Sequence, residues 1–146
     1  MKTFWDTSGV LSLVLKDSRC REARRVLNNP AWQHVTSPLA ALEAENRLHR
    51  LGISGEVDQQ ECRQAAEWMA QLFASRFITL LNVKDSRLIA AEGRRMIRHF
   101  SSTRPHRTMD LLHVACARLL RAEGFFTFDS NQSALAEAAG FRVKLV

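Results

Sequence analysis

The sequence predicts a three-layer α/β/α fold around a central parallel β-sheet, and three observations support this prediction. Short apolar segments alternate with longer segments of helical periodicity along the 146-residue chain. Polar residues that can cap helices stand at many of the boundaries. The sequence also shows no internal repeat and no convincing linker. Because strands that alternate with helices form parallel sheets covered on both faces, we expect one domain over residues 1–146.

Five strands are predicted from short apolar segments that end at polar, glycine or proline residues. In chain order they cover residues 2–5, 34–36, 77–81, 124–128 and 142–146. Consecutive strands are separated by helical segments and not by tight hairpin turns. We therefore expect parallel pairing, with the helices as crossover connections.

Seven helices are predicted from the helical spacing of apolar side chains and from end signals. They cover residues 7–15, 20–27, 38–50, 57–75, 85–100, 108–123 and 130–139. Thr7 or Ser8 can cap the first helix. Ser37 followed by Pro38 is a strong start signal for the third, because proline suits the first helical position. Gly140 ends the last helix.

The composition is typical of a folded protein with a polyanionic partner. Apolar residues make up 46% and charged residues 25% of the chain, which disfavours a disordered protein. The net charge of +6 favours a polyanion, and ordinary solubility of a basic protein is the alternative explanation. The three scattered cysteines argue against disulfides and thiolate zinc sites. Since no apolar run could cross a bilayer, we expect a cytoplasmic protein with no membrane partner.

Four carboxylates occupy positions that a parallel sheet can bring together. Asp6 directly follows the first predicted strand and Asp129 the fourth, and parallel sheets bind ligands beyond these carboxyl ends. Asp110 lies in the first turn of the sixth helix and Glu43 lies on the third. Each acid also has an ordinary explanation, as a helix cap, a complement to the helix dipole or a solvated side chain. Helical periodicity alone does not separate Glu43 from Glu45.

Four sequence blocks and one glycine occur in a defined order. They are Asp6-Thr7-Ser8, then Thr36-Ser37-Pro38 leading to Glu43 and Asn46, then DLLHVACA at residues 110–117, then FTFD at residues 126–129, and finally Gly140. In this order, and over essentially the whole chain, they resemble the PIN-domain nucleases, especially the VapC-type toxins of bacterial toxin–antitoxin pairs. The resemblance implies that the catalytic and metal-binding acids are Asp6, Glu43, Asp110 and Asp129.

The resemblance also implies roles for residues around these acids. The spacing from Ser37 selects Glu43 over Glu45. Some family members carry a further acid shortly after the fourth, where this chain has Ser130-Asn131, which adds no charge. Hydrogen bonds that orient the acids are expected from Thr7, Ser8, Thr127 and Asn131.

Basic side chains near Asp110 are candidate contacts for a phosphate backbone. Arg104 and Arg107 precede Asp110 in a predicted loop, and Arg121 shares the helical stripe of Asp110. A solvated basic loop is the alternative explanation for the first two. His113 lies one turn after Asp110 and could hydrogen-bond it, but a structural histidine is expected.

Carboxylate oxygens select hard cations, so Mg²⁺ is the expected cofactor and Mn²⁺ the expected substitute. Without a cation the four acids would repel one another. The resemblance implies an endoribonuclease that cleaves RNA phosphodiester bonds with metal-activated water. It also implies restraint by a cognate antitoxin protein, and a homodimer or a toxin–antitoxin hetero-oligomer.

An alternative function is a catalytically inactive PIN-like module that binds RNA or a partner. Retention of all four acids argues against it, because a surface that only binds RNA has no use for clustered negative charge. The chain also lacks a glycine-rich dinucleotide motif and a phosphate-binding loop, which disfavours nucleotide enzymes of related fold.

Overall fold

The computed structural model describes residues 1–100, 105–143 and 145. In this part of the chain a central sheet of four parallel strands has the order β3-β2-β1-β4. The strands are β1 (Lys2–Trp5), β2 (Gln33–Thr36), β3 (Thr79–Leu80) and β4 (Gly124–Phe126). The helices are α1 (Thr7–Leu15), α2 (Cys20–Leu27), α3 (Pro38–Ser54), α4 (Gln59–Ala74), α5 (Ser86–Phe100), α6 (Thr108–Leu119) and α7 (Ser130–Ala138).

The helices cover both faces of the sheet, which confirms the predicted three-layer fold. Helices α1 to α4 pack against one another on one face, and α5, α6 and α7 pack together on the other. Adjacent strand residues point to opposite faces, so Phe4 belongs to one core and Trp5 to the other. On the neighbouring strand β4, Phe125 belongs to the same core as Phe4, and Phe126 belongs to the same core as Trp5. The Phe4 and Phe125 rings stack with centroids 5.3 Å apart.

The strand order places the carboxyl ends of β1 and β4 side by side. From β1 the chain builds outward through β2 and β3, and it then returns to the other side of β1 with β4. Ligand sites of parallel sheets lie at such a reversal of strand order. Gly9 lets α1 begin close to β4, because a Cβ at this position would lie 2.9 Å from Cδ1 of Phe126. The fold therefore brings the segments after Trp5 and after Phe126 together.

The third helix is longer than predicted. It continues past residue 50 to Ser54 and ends at Gly55, which adopts the left-handed backbone with φ 75°. Gly52, a residue type that often ends helices, lies inside α3 against the side chain of Cys62 on α4. Packing of α3 against α4 thus overrides a local stop signal. Asp58 begins α4 by accepting the backbone amide hydrogens of its first turn.

Two predicted strands are shorter in the structure, and the described residues of the last predicted strand form one bridge. The strand predicted at 124–128 ends at Phe126, and the one predicted at 77–81 covers only Thr79–Leu80. Arg142 forms an isolated parallel bridge to Gly124. The prediction for 142–146 also included Lys144 and Val146, which lie outside the described residues.

Helix α6 is buried around most of its surface. Val114 and Ala117, which lie on the same stripe of the helix as Asp110, are both 0% exposed. Leu111 and Ala115 on the opposite side are also buried. Both α5 and α7 contact α6, so apolar residues on two sides of this helix belong to the core.

The three thiols are buried and free, which agrees with the absence of a disulfide framework. Cys116 was expected on the apolar side of its helix, and it is 1% exposed. None of the helices described here has both the length and the apolar character needed to span a membrane.

Candidate active site

Asp6 lies at the carboxyl end of β1 and is 3% exposed. Its Oδ1 accepts hydrogen bonds from the backbone N of Gly9 at 2.9 Å and from Oγ of Ser8 at 2.8 Å. Its Oδ2 accepts a hydrogen bond from Oγ1 of Thr127 at 2.7 Å. Asp6 is therefore the N-cap of α1, and the prediction that Thr7 or Ser8 caps this helix was wrong. Both carboxylate oxygens are held in fixed directions.

Burial has a direct electrostatic consequence for Asp6. Removal from water raises the pKa of its carboxyl group above the usual value, because the charged form loses hydration. The hydrogen bonds from Thr127, Gly9 and Ser8, and then the charge of His113, act in the opposite direction. The net shift is upward. Four groups thus orient or stabilise the carboxylate against the cost of its burial.

The loop between β4 and α7 is tied to the partners of Asp6. The backbone N of Asp129 donates to Oγ1 of Thr127 at 3.0 Å, and the backbone N of Phe128 donates to Oγ of Ser8 at 2.8 Å. One hydroxyl, that of Thr127, therefore links Asp6 to the backbone of Asp129.

Asp129 is the N-cap of α7. Its Oδ1 accepts the backbone amide hydrogens of Asn131 at 2.8 Å and of Gln132 at 3.0 Å. The ordinary explanation of Asp129 as a helix cap is thus correct, as it is for Asp6. Capping uses one carboxylate oxygen, and within the described residues Oδ2 of Asp129 accepts no hydrogen bond that would compete with a ligand. Capping and ligand binding are therefore compatible at this residue.

Glu43 reaches the same region from α3. Its Oε2 accepts hydrogen bonds from Oγ1 of Thr7 and from Nε2 of His113, the latter at 2.6 Å. The hydrogen bond from His113 is the largest cause that lowers the pKa of Glu43, burial opposes it, and the charge of Arg47 contributes. Glu45 is exposed and lies on another side of α3. The structure therefore brings Glu43 and not Glu45 to the other acids.

Asp110 completes the set from the first turn of α6. Burial is the largest cause that raises its pKa, and the negative charges of Asp129 and Glu43 raise it further. Those charges act on Asp110 because all three acids lie near one another. The charges of Arg107 and His113 lower the pKa. The side-chain amide of Gln132 donates to the backbone O of Asp110 at 3.3 Å, which ties α7 to the start of α6.

The donor set fits a hard divalent cation in its chemistry. All four acids supply oxygen atoms, the ligands that Mg²⁺ and Mn²⁺ prefer. A cation among them would also offset the repulsion that raises the pKa of Asp110. In residues 1–100, 105–143 and 145, however, no three His, Cys, Asp or Glu side chains lie close enough together to hold a metal ion. The acids share one edge without forming a closed set of ligands.

Two of the candidate substrate contacts, Arg107 and Arg121, lie at opposite ends of α6. Arg107 is exposed at the N-cap of α6, and its charge lowers the pKa of Asp110. Arg121 lies beyond the other end of α6, with a left-handed backbone of φ 56°. The same turn is bonded to the start of β1, where Glu123 N donates to Lys2 O at 2.8 Å. Arg121 therefore lies at the opposite edge from the acids, and its assignment to the substrate is corrected.

The described contacts do not test the predicted side-chain roles of two other residues. Arg104 lies outside the described residues. Asn131 donates its backbone N to Asp129, so its position in the first turn of α7 explains this contact. A role for its side chain in orienting Asp129 stays a prediction.

His113 contacts the acids through a partner that the sequence did not indicate. It is 1% exposed, and its ring contacts Glu43 on α3 instead of the expected Asp110 on its own helix. Its charge also affects the pKa of Asp6 and of Asp110. The available signal was its spacing, since residues three apart lie on the same side of a helix and His113 follows Asp110 at that distance.

A groove between α3 and α4 is one large concave feature outside the acidic edge. Its volume is about 490 Å³. The floor is apolar, with Leu48, Met69 and Phe73, and Glu45 and Arg63 add charge to the lining. None of the four acids at the carboxyl edge lines it.

Comparisons with known proteins identify a family and related folds. The family model described as the PIN domain matches residues 3–138. The chain superposes on VapC20 of Mycobacterium tuberculosis, a sarcin-ricin loop cleaving toxin, with a TM-score of 0.69 and 23% identity over 96% of each chain. For VapBC-1 of nontypeable Haemophilus influenzae the TM-score is 0.60, with 17% identity over 98% of each chain.

A third solved structure has the same fold. VapBC2 of Rickettsia felis, bound to a DNA fragment from its promoter, superposes with a TM-score of 0.62 and 14% identity, over 92% of this chain and 93% of that one. At these identities the three likenesses show a shared fold. No curated protein matches the chain.

Proposed function

Because the chain belongs to the PIN-domain family, we propose that it is a metal-dependent endoribonuclease that cleaves RNA phosphodiester bonds. The observation that carries the proposal is the convergence of four carboxylates at the carboxyl edge of the sheet, where burial first, and then the charges of Asp129 and Glu43, raise the pKa of Asp110. Like charges held together in a protein of net charge +6 are costly unless a cation or a reaction uses them. This fits catalysis better than binding alone.

The residues that would hold Mg²⁺ or Mn²⁺ are Asp6, Glu43, Asp110 and Asp129. When bound, such a cation supplies Lewis acidity toward a phosphate and lowers the pKa of water. The chain itself supplies orientation. Ser8 and Thr127 fix Asp6, and the first turn of α7 fixes Asp129. Hydrogen bonds of this kind keep the carboxylates anionic and correctly directed when substrate arrives.

Cleavage of RNA by the purified protein tests the proposal. We expect endonucleolytic products from an RNA substrate with Mg²⁺ or Mn²⁺, loss of these products with excess EDTA, and recovery when Mg²⁺ is restored. The reason is that the four acids bind substrate only when a cation neutralises them. Gel separation of end-labelled RNA measures the products.

A matched pair of variants excludes a contaminating nuclease. Glu43→Gln should lose the activity, while Glu45→Gln, two residues away on the exposed side of the same helix, should keep it. Undiminished cleavage in EDTA would contradict the proposed chemistry. RNA binding without cleavage in any metal would instead support the inactive binding module.

Arg107 is proposed to hold the RNA backbone beside the acids. It is exposed and close enough to Asp110 to influence its pKa, and guanidinium groups bind phosphate oxygens well. We expect Arg107→Ala to weaken RNA binding and to reduce the slope of log affinity against log salt by about 0.7 for single strands. Fluorescence anisotropy over a salt series measures both quantities.

Arg121→Ala is the control for this measurement. It removes the same charge at the opposite end of α6, so a general loss of positive charge would affect both variants alike. An equal change in slope for the two variants would mean that Arg107 is a solvated surface residue without a specific contact to RNA.

We further propose that the protein is the toxin of a toxin–antitoxin pair and acts on RNA in the cytoplasm. The likeness to VapC20 and to the two VapBC structures supports this role. The proposed antitoxin would place a basic side chain among the acids and an apolar segment in the groove between α3 and α4. Exposed apolar residues elsewhere, including Phe77 at 62% and Leu88 at 51% exposed, are available to a homodimer or a hetero-oligomer.

A further inference from the structure

His113 occupies an unusual place for a histidine that is not exposed to solvent. It is 1% exposed on α6, in the layer of helices on one face of the sheet. Its partner Glu43 belongs to α3, which packs with the layer on the other face. The hydrogen bond therefore crosses the carboxyl edge of the sheet, directly at the acidic residues. The 2.6 Å distance is short for a nitrogen–oxygen pair, as expected when the acceptor is ionised.

The two ring nitrogens of His113 have different environments. Nε2 contacts Oε2 of Glu43, and Nδ1 is buried with no hydrogen-bond partner in the described part of the chain. Because its partner is a carboxylate oxygen, Nε2 forms this hydrogen bond only when it carries a proton. The environment thus places a proton on Nε2, where it is donated to Glu43.

The same oxygen of Glu43 accepts a second hydrogen bond, from the hydroxyl of Thr7. Two donors on Oε2 occupy both of its lone pairs. Oε1 accepts no hydrogen bond within residues 1–100, 105–143 and 145. The two oxygens of one carboxylate are therefore distinguished by their partners.

We propose that His113 is a positioning residue that fixes Glu43 through Oε2 and so reserves Oε1 for the cation or substrate. The proposal rests on the proposed function, since it assigns a role within the same site. Glutamate has three side-chain torsions, and an exposed glutamate samples many rotamers. A buried donor on the neighbouring layer removes this freedom before any ligand binds.

The matched variants are His113→Gln and His113→Asn. The glutamine amide nitrogen is as many bonds from Cα as Nε2 of histidine, whereas the asparagine amide nitrogen is closer to the backbone and falls short of Glu43. The first readout is Mn²⁺ affinity of the purified protein, from the electron paramagnetic resonance signal of free Mn²⁺. We expect His113→Asn to weaken Mn²⁺ binding about tenfold or more, which is typical when a ligand loses an outer hydrogen bond. His113→Gln should stay close to wild type.

Cleavage kinetics and a double variant test whether His113 acts through Glu43. His113→Asn should lower kcat while the KM for RNA changes little. In the Glu43→Gln background, His113→Asn should cause no further loss of Mn²⁺ affinity. Wild-type Mn²⁺ affinity in folded His113→Asn would overturn the proposal. So would equal losses in the Gln and Asn variants, or an unchanged effect of His113→Asn in the Glu43→Gln background.

A second measurement uses proteins that retain His113. It tests the proposal even if His113→Gln or His113→Asn prevents folding. Histidine-selective ¹⁵N labelling should show a slowly exchanging proton on Nε2 for the two buried rings, His34 and His113, since Nδ1 of His34 accepts a hydrogen bond from Nε1 of Trp5. Glu43→Gln should shift the signal of one ring, that of His113, and Glu45→Gln should leave both signals unchanged. An Nε2 without a proton in His113, or two signals insensitive to Glu43→Gln, would overturn the positioning role.

The outcome for wild type separates the two proposals. Wild-type protein that neither binds Mn²⁺ nor cleaves RNA would overturn the proposed function and the role of His113 with it. Wild-type protein that does both, with a failed His113 test, would overturn only the positioning role.

Discussion

Asp6→Asn is expected to abolish RNA cleavage while the metal-free protein keeps its fold or becomes more stable. Loss of a group that merely supports a metal ligand costs about 10–100-fold, so loss of a proposed ligand should exceed about 100-fold in rate. Asparagine keeps the shape of the side chain and can still accept the hydrogen bonds from Ser8 and Gly9. It removes the buried charge, which is the cause of the raised pKa of Asp6.

The stability effect has a definite dependence on pH. A raised pKa means that the folded state binds the proton of Asp6 more tightly than the unfolded state does. Protonation of Asp6 therefore stabilises the fold at low pH, and this stabilisation is lost as pH rises through the raised pKa. The advantage of Asp6→Asn over wild type should be largest at neutral pH. It should decrease as pH falls toward 3.8, the ordinary value for aspartate.

Two measurements check this prediction. Cleavage of an RNA oligonucleotide at equal Mg²⁺ concentration gives the loss of activity, and thermal unfolding in EDTA at neutral and acidic pH gives the change in stability. Asp17→Asn is the control, because Asp17 is an exposed carboxylate in the turn after α1. Near wild-type cleavage by Asp6→Asn would show that Asp6 is not a required ligand. A large loss of metal-free stability at neutral pH would show that the charge of Asp6 is well compensated in the fold.

Expression of this chain alone in a bacterial host is expected to arrest growth. An endoribonuclease with unrestrained access to cellular RNA degrades molecules that the host needs. Asp6→Asn should be harmless at equal protein level, because it should keep the fold and lose the chemistry. Co-expression with the product of the neighbouring gene should restore growth if that product is the proposed antitoxin. Growth curves and immunoblots measure the effect and the protein levels.

The control variants distinguish the causes of growth arrest. Asp17→Asn should arrest growth as wild type does, since its charge lies away from the acids. Equal toxicity of wild type and Asp6→Asn would contradict toxicity by RNA cleavage. Harmless expression of wild type, together with RNA cleavage in vitro, would leave the nuclease proposal standing and contradict the toxin role.

Much of the fold follows from signals that act over a few residues. Ser37 caps α3 by accepting the backbone N of Ala40 at 3.2 Å, as its place before Pro38 predicted. Ala44 and Leu48 on the same helix are buried as their spacing indicated. Capping and periodicity depend on neighbours within one or two turns, so a single sequence carries them. The positions of Asp6 and Asp129 after their strands belong to the same class.

Long-range packing settles what these local signals leave open. The hydrogen bond between Glu43 and His113 joins residues 70 positions apart, and no local pattern specifies such a partner. Packing of α6 between α5 and α7 buries Val114 and Ala117 on the stripe of Asp110, and α6 ends at Leu119, before the predicted end at residue 123. In each case the free energy of contacts between distant segments outweighed a local preference, which is worth only tenths of a kilocalorie per residue. The positions of the acids could therefore be predicted from the sequence. The partner His113 that orients Glu43 was determined by the packing of the two helical layers.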